Sequence, residues 1–207
     1  MDILEQVGRD PDTIRSAIHG ELSQVWTALP VIIPSASDGH TTAMQSAVNQ
    51  MVYQQDGTLK STPMTAFGDA PVHFIGGGGV TSTHPVASGD EGIAIFLSRS
   101  QDLWHQNGGV QDPIDSRSHS LSDCRFIPGG RSTPRKMNPA PSTTSAQNRS
   151  DDGNHVHDVH PTNGLTSAST KKIHHVSGST SDLMTPDGKR ISSSRIALNC
   201  GTPGSSA

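Results

Sequence analysis

The densest run of side chains able to do chemistry lies late in the chain, in Asn154-His155-Val156-His157-Asp158-Val159-His160. Residues two apart on an extended strand point the same way, so His155 and His157 are expected to project their imidazoles to one side, with Val156 on the other. Imidazole suits iron, nickel, copper or zinc. One chain supplies two such ligands; a threefold axis would supply six, enough for an octahedral cage around a divalent first-row ion. The plainer alternative is a solvated polar loop rich in histidine. His174-His175 is a second candidate, but adjacent strand residues face opposite sides, so at most one of them joins a site, and whether His160, His174 or His175 contributes stays open.

Asp115, Arg117, His119 and Asp123 form a second ionisable cluster. A histidine among carboxylates has the parts of a general base or a ligand set. The segment offers no nucleophile in a recognisable elbow and no second histidine at metal spacing, which favours a structural role: Arg117 and His119 satisfying carboxylates or exposed backbone at the edge of a sheet.

The surrounding composition limits what can hold these groups. Of 207 residues, 31% are hydrophobic and 3% aromatic, too few for a sizeable single-chain core. The net charge of -4 provides no basic field for phosphate backbones, and single-strand binders need aromatic platforms that Trp26, Trp104, Tyr53 and four phenylalanines scarcely supply, so nucleic acid is not expected as a partner. Met1 to Glu5 lacks the pattern of a signal peptide, and no run approaches the roughly 18 apolar residues of a membrane span, which predicts synthesis in the cytosol. Cys124 and Cys200 are far apart without a C-x-x-C spacing and read as free thiols.

Taken in order, Asp10-Pro11 opens a helix on which Ile14, Ala17, Ile18 and Leu22 form one apolar stripe, expected to pack on the protein's own core or, alternatively, to dock on a larger assembly. Ser23 to Ile33 reads as a strand broken by Pro30, and Thr42 to Tyr53 as a second strand ending at the Asp56-Gly57 turn. Pro71 to Ile75 and Ile93 to Leu97 alternate as two more, with a four-glycine run after the first read as a flexible loop or a place where another chain passes close. A last strand is expected near Cys124 to Ile127. About five short strands suit a small closed or sandwich-like fold, and the pattern does not choose among these. Ser-Gln-Asp-Leu-Trp-His, with Trp104, reads as a short helical turn in which the tryptophan serves packing. Residues 131–153 are rich in proline, serine and asparagine and read as an extended linker. The tail from Lys171, including Arg190 to Leu198, has strand character with few large apolar residues, which three copies wound together would bury on a shared axis; the alternative on composition is a disordered tail.

The ordered set Asp69, Pro71, Val72, Pro85, Val86, Gly89 to Gly92, Ser98, Trp104, Gly108, Gly109, Asp115, Arg117, His119, Leu121, Ser122, Asp123, Ile127, Pro128 and Gly129 resembles the N-terminal domain of the central spike proteins of contractile phage baseplates, related to baseplate assembly protein V. The resemblance covers roughly residues 20 to 130. It implies a five-stranded oligonucleotide/oligosaccharide-binding (OB) barrel, and His-x-His followed by proline, asparagine and glycine resembles the spike tip motif, implying one iron ion held by His155 and His157 of three chains. The expected architecture is mainly β: an N-terminal helix (1–22), an OB-fold collar (23–130), a linker (131–153) and an intertwined trimeric β-needle (154–207). The expected function is mechanical and non-enzymatic: a homotrimeric virion protein assembled in the host cytoplasm, attached to tail tube and hub proteins, whose needle breaches the host cell envelope. About fifty residues follow the motif, whereas family tips lie near the C-terminus, so either the chain turns back or the ion lies inside the needle. The rival readings are a baseplate hub or adaptor that pierces nothing, and a metal-dependent hydrolase using His155, His157 and Asp158 or His160, which would need an open coordination position and a supporting shell.

Overall fold

A computed structural model describes residues 11–23 and 25–194. Asp10, the stretch from Arg195 to Leu198 and Cys200 lie outside the described residues. The chain divides into two compact units, Met1–Ser132 and Thr133–Ala207.

In the first unit, strands β1 (Ala28–Ile32), β2 (Thr41–Ser46), β5 (Phe67–Pro71), β8 (Glu91–Phe96) and β9 (Cys124–Pro128) form one antiparallel sheet of order β5-β2-β1-β8-β9. Alternation predicts the inward set of β2 correctly, with Thr42, Met44 and Ser46 buried. Val31, Ile33, Met44, Ala70, Ala94, Phe96, Cys124 and Phe126 close the core, with Trp26, Phe67 and Leu121 packed against it. Burial, with a smaller push from the Asp123 carboxylate, raises the Cys124 thiol to about 11, so it stays neutral and unreactive at ordinary pH.

The sheet coils but does not close as a barrel. Its two edges, β5 and β9, come together beside a single parallel bridge between Val72 and Phe126 and the hydrogen bond from His73 N–H to Phe126 O (2.7 Å), without a continuous ladder. Both edge strands end in a proline, Pro71 and Pro128, which has no N–H to extend a ladder.

Four further expectations need correction. Pro30 does not break its strand: it pairs with Ile93, and its carbonyl accepts from Ala47 N–H, so the missing donor faces the end of the β2 ladder, where little is lost. The second strand stops at Ser46, and Gln50–Tyr53 (β3) instead forms a separate hairpin with Leu59–Thr62 (β4). The glycine run is ordered: Ile75–Gly77 (β6) and Val80–Ser82 (β7) form a hairpin whose two corner residues, Gly78 and Gly79, both take positive φ, the geometry a two-residue turn needs. Finally, the stripe of helix α1 (Pro11–Leu22) does not pack on its own sheet, because Ile14, Ile18 and Leu22 are 49%, 53% and 61% exposed.

The second unit holds two three-stranded meanders. Ala146–Arg149 (β10), His155–His160 (β11) and Gly164–Ser169 (β12) make the first; Ile173–Ser177 (β13), Thr180–Thr185 (β14) and Gly188–Ser192 (β15) make the second. Strand β10 lies within the stretch read as a linker; its low apolar content hid a strand whose ladder and Gln147 bond are made to β11. Among the described residues of this unit none is buried.

Candidate functional site: a paired histidine face

The face of β11 that carries His155 and His157 is built by register. His155 lies opposite Ser169, His157 opposite Ser167 and Asn148, and Val159 opposite Leu165 and Ala146. Each imidazole shares a hydrogen bond through Nδ1 with the serine across the ladder, His155 with Ser169 Oγ at 2.8 Å and His157 with Ser167 Oγ at 2.9 Å. With Nδ1 engaged, Nε2 of each ring is the nitrogen left for an external ligand, and a polar partner on the other nitrogen is the usual support for a metal-binding histidine. Val156 alternates to the opposite side, as the spacing predicts.

The other candidates do not join this pair. Asp158 is on the opposite face, held by Ser145 Oγ and Gln147 Nε2; these two hydrogen bonds, with smaller contributions from His160 and His157, hold its carboxyl below the usual carboxylate range. His160 Nδ1 accepts from the backbone N–H groups of Thr162 and Asn163 (both 3.1 Å) and thereby fastens the β11–β12 turn. His174 and His175 are both exposed on β13, opposite Leu183 and Asp182, on alternate faces. Among the described residues, no group of three possible ligands exists within the chain. Within one chain the pair is therefore a two-nitrogen donor set, which would need ligands from elsewhere to hold a metal. Lys171 and Lys172 line the same hollow, of about 540 Å³, and their charges oppose a cation there, so several histidine pairs would have to converge to outweigh them.

The adjoining turn has its own electrostatic lock. Asp152 accepts from Ser150 Oγ (2.6 Å), Asn154 N–H (3.0 Å) and Asn154 Nδ2 (2.6 Å), and these bonds, the serine's first, pull its carboxyl down to about 2. A depressed carboxyl contributes stability above its unfolded value, 3.8, and loses it as pH falls through about 2. The Asn154 amide resonance is accordingly expected to shift with a midpoint near pH 2 in an NMR titration; a midpoint near 4 would contradict the lock.

The cluster of the first unit is structural. Asp123 is fully buried and accepts from Arg117 Nε (2.7 Å), Arg117 Nη2 (3.2 Å) and Gln101 N–H (2.9 Å). The same guanidinium also binds Asp102, Asp115 (3.3 Å) and Ser100 Oγ (3.0 Å), and the bonds to Asp123 and Asp102 raise its pKa further above the ordinary arginine value. His119, at positive φ, has its Nδ1 3.0 Å from Trp26 O. The arrangement pins helix α2 (Asp102–Asn107) to β9. Sequence reasoning placed Trp104 in the packing; its ring is instead 44% exposed, with the Arg125 guanidinium 4.5 Å from its centroid. The signal for that pairing is only visible once α2 and β9 are set side by side.

A coiled five-stranded sheet with an Arg117 clamp on the buried Asp123, and a second unit of short meanders, define a mainly β protein. Residues 29–129 match the family model described as phage protein Gp138 N-terminal domain. This is the stretch from which the spike resemblance was read, and the family description specifies the phage domain without the V-like kind. No curated protein matches the chain.

Proposed function

We propose that this chain is the homotrimeric central spike at the tip of a contractile phage tail baseplate. The observation that carries the reading is the second unit: six strands in two meanders without one buried residue among those described. Exposed Val159, Leu165, Val176 and Ile191, with open strand edges, do not make an independently stable needle. Three copies around an axis bury those side chains and bring three His155/His157 pairs together.

The phage-domain match supports placement in the virion, beside other tail or baseplate proteins. The first unit, an open sheet of the OB kind by its strand order, serves as the collar joined to the tail tube or hub. The second serves as the needle that breaches the host cell envelope on contraction. An iron ion, when bound by the Nε2 atoms of His155 and His157 from three chains, supplies a crosslink on the axis; the serines behind each ring hold it oriented. The work is mechanical and requires no reacting group. Immunogold labelling of phage particles with antibody against this protein tests the placement: label at the distal end of the tail supports it, and label on the capsid, or none, overturns it.

A further inference from the structure

The outer face of β8 and β9 is apolar and uncovered. The small residues Gly92 and Ala94 point inward with Phe96, which leaves Ile93 and Ile95 outside, paired across the ladder with Ile127 and Arg125. Ile95, Ile127 and the exposed ring of Trp104 floor a groove of about 570 Å³, whose lining includes the cations Arg99 and Arg125 and no carboxylate. The groove is preorganised: Arg125 Nε donates to Gln101 Oε1 (3.3 Å), Gln101 Nε2 donates to Cys124 O (3.1 Å), and the Arg117 clamp fixes the helix that carries Trp104.

The same unit has a second uncovered surface, the stripe Ile14, Ile18 and Leu22 of α1. A twelve-residue helix is marginal in water without a partner for its apolar side. Trp26 anchors the chain in the core, 6.4 Å from Phe96 between ring centroids, so the four residue steps from Leu22 to Trp26 reach at most about 14 Å. We propose that α1 of each copy fills the β8–β9 groove of the next. Each chain then offers one stripe and accepts one, a head-to-tail contact that a threefold rotation closes without remainder. Charge agrees with this occupant: Glu21 and the last carbonyls of α1, the negative end of the dipole, meet Arg99 and Arg125 of the groove, with His19 the basic side chain in that last turn. The inference rests on the trimer of the proposed function.

Two chains with different tags, one carrying Ile18→Cys and the other Ile95→Cys, both with Cys200→Ser, test it by coexpression and mild oxidation; the buried Cys124 thiol stays out of the reaction. The expected result is a disulfide between differently tagged chains, formed only when both variants are present. Arg125→Glu should lower its yield about tenfold, and Glu21→Arg in the same background should restore it. A particle with the mass of three chains that forms no such disulfide, or one in which Ile18→Cys links to itself, overturns the groove contact and leaves the trimer standing. A monomeric mass overturns both.

Discussion

Arg117→Ala is expected to lower the unfolding free energy of the first unit by about 3–5 kcal/mol, the usual cost of removing one partner of a buried ion pair. The effect is large because Asp123 is completely enclosed and, among the described residues, Arg117 is the one cation paired with it, leaving the Gln101 N–H as its remaining hydrogen-bond donor. Lysine should not rescue, since one ammonium cannot reproduce the fork that holds Asp123, Asp102 and Asp115 together. Adding Asp123→Asn to Arg117→Ala should recover part of the loss at neutral pH. Urea unfolding at neutral pH measures all of this; a deficit below about 1 kcal/mol would place the clamp among ordinary surface pairs.

Gly92→Ala should be nearly as damaging. A Cβ at this position would sit 2.3 Å from Phe126 Cε2 and 2.4 Å from the carbonyl oxygen of Ile127, and the second contact is with backbone that cannot rotate away. Overpacking of this kind costs about 1–3 kcal/mol, and more where the neighbours are fixed. Gly68→Ala is the control, with nothing within 4 Å of the added carbon, and should stay within about 0.5 kcal/mol of the parent. Equal stabilities for the two variants in thermal or urea unfolding would refute the packing described for β8 and β9.

These two positions also show what was legible in the sequence. Gly92 belongs to Gly-Asp-Glu-Gly, which spells a turn; that it also makes room for the Phe126 ring depends on a strand more than thirty residues away in sequence. Strand β8 was correctly located from its apolar run, yet both of its faces are apolar, so alternation alone could not tell that Ala94 and Phe96 enter the core while Ile93 and Ile95 remain outside. The His155/His157 face follows directly from the period of two, and register adds the two serines, which no local pattern announces. The stripe of α1 was read correctly as a stripe, but its period carries no information on what it packs against. Strand β10 was missed because Ala-Gln-Asn-Arg has little intrinsic strand preference and is extended by its ladder to β11.

The central claim is that three chains share one axis through their histidine faces. Light scattering and elemental analysis of the same purified sample test it most directly. The account predicts the mass of three chains with about one iron per three, and loss of the iron when His155 and His157 are both changed to alanine, as six converging imidazoles require. A monomeric mass, or one metal bound per chain, would contradict it.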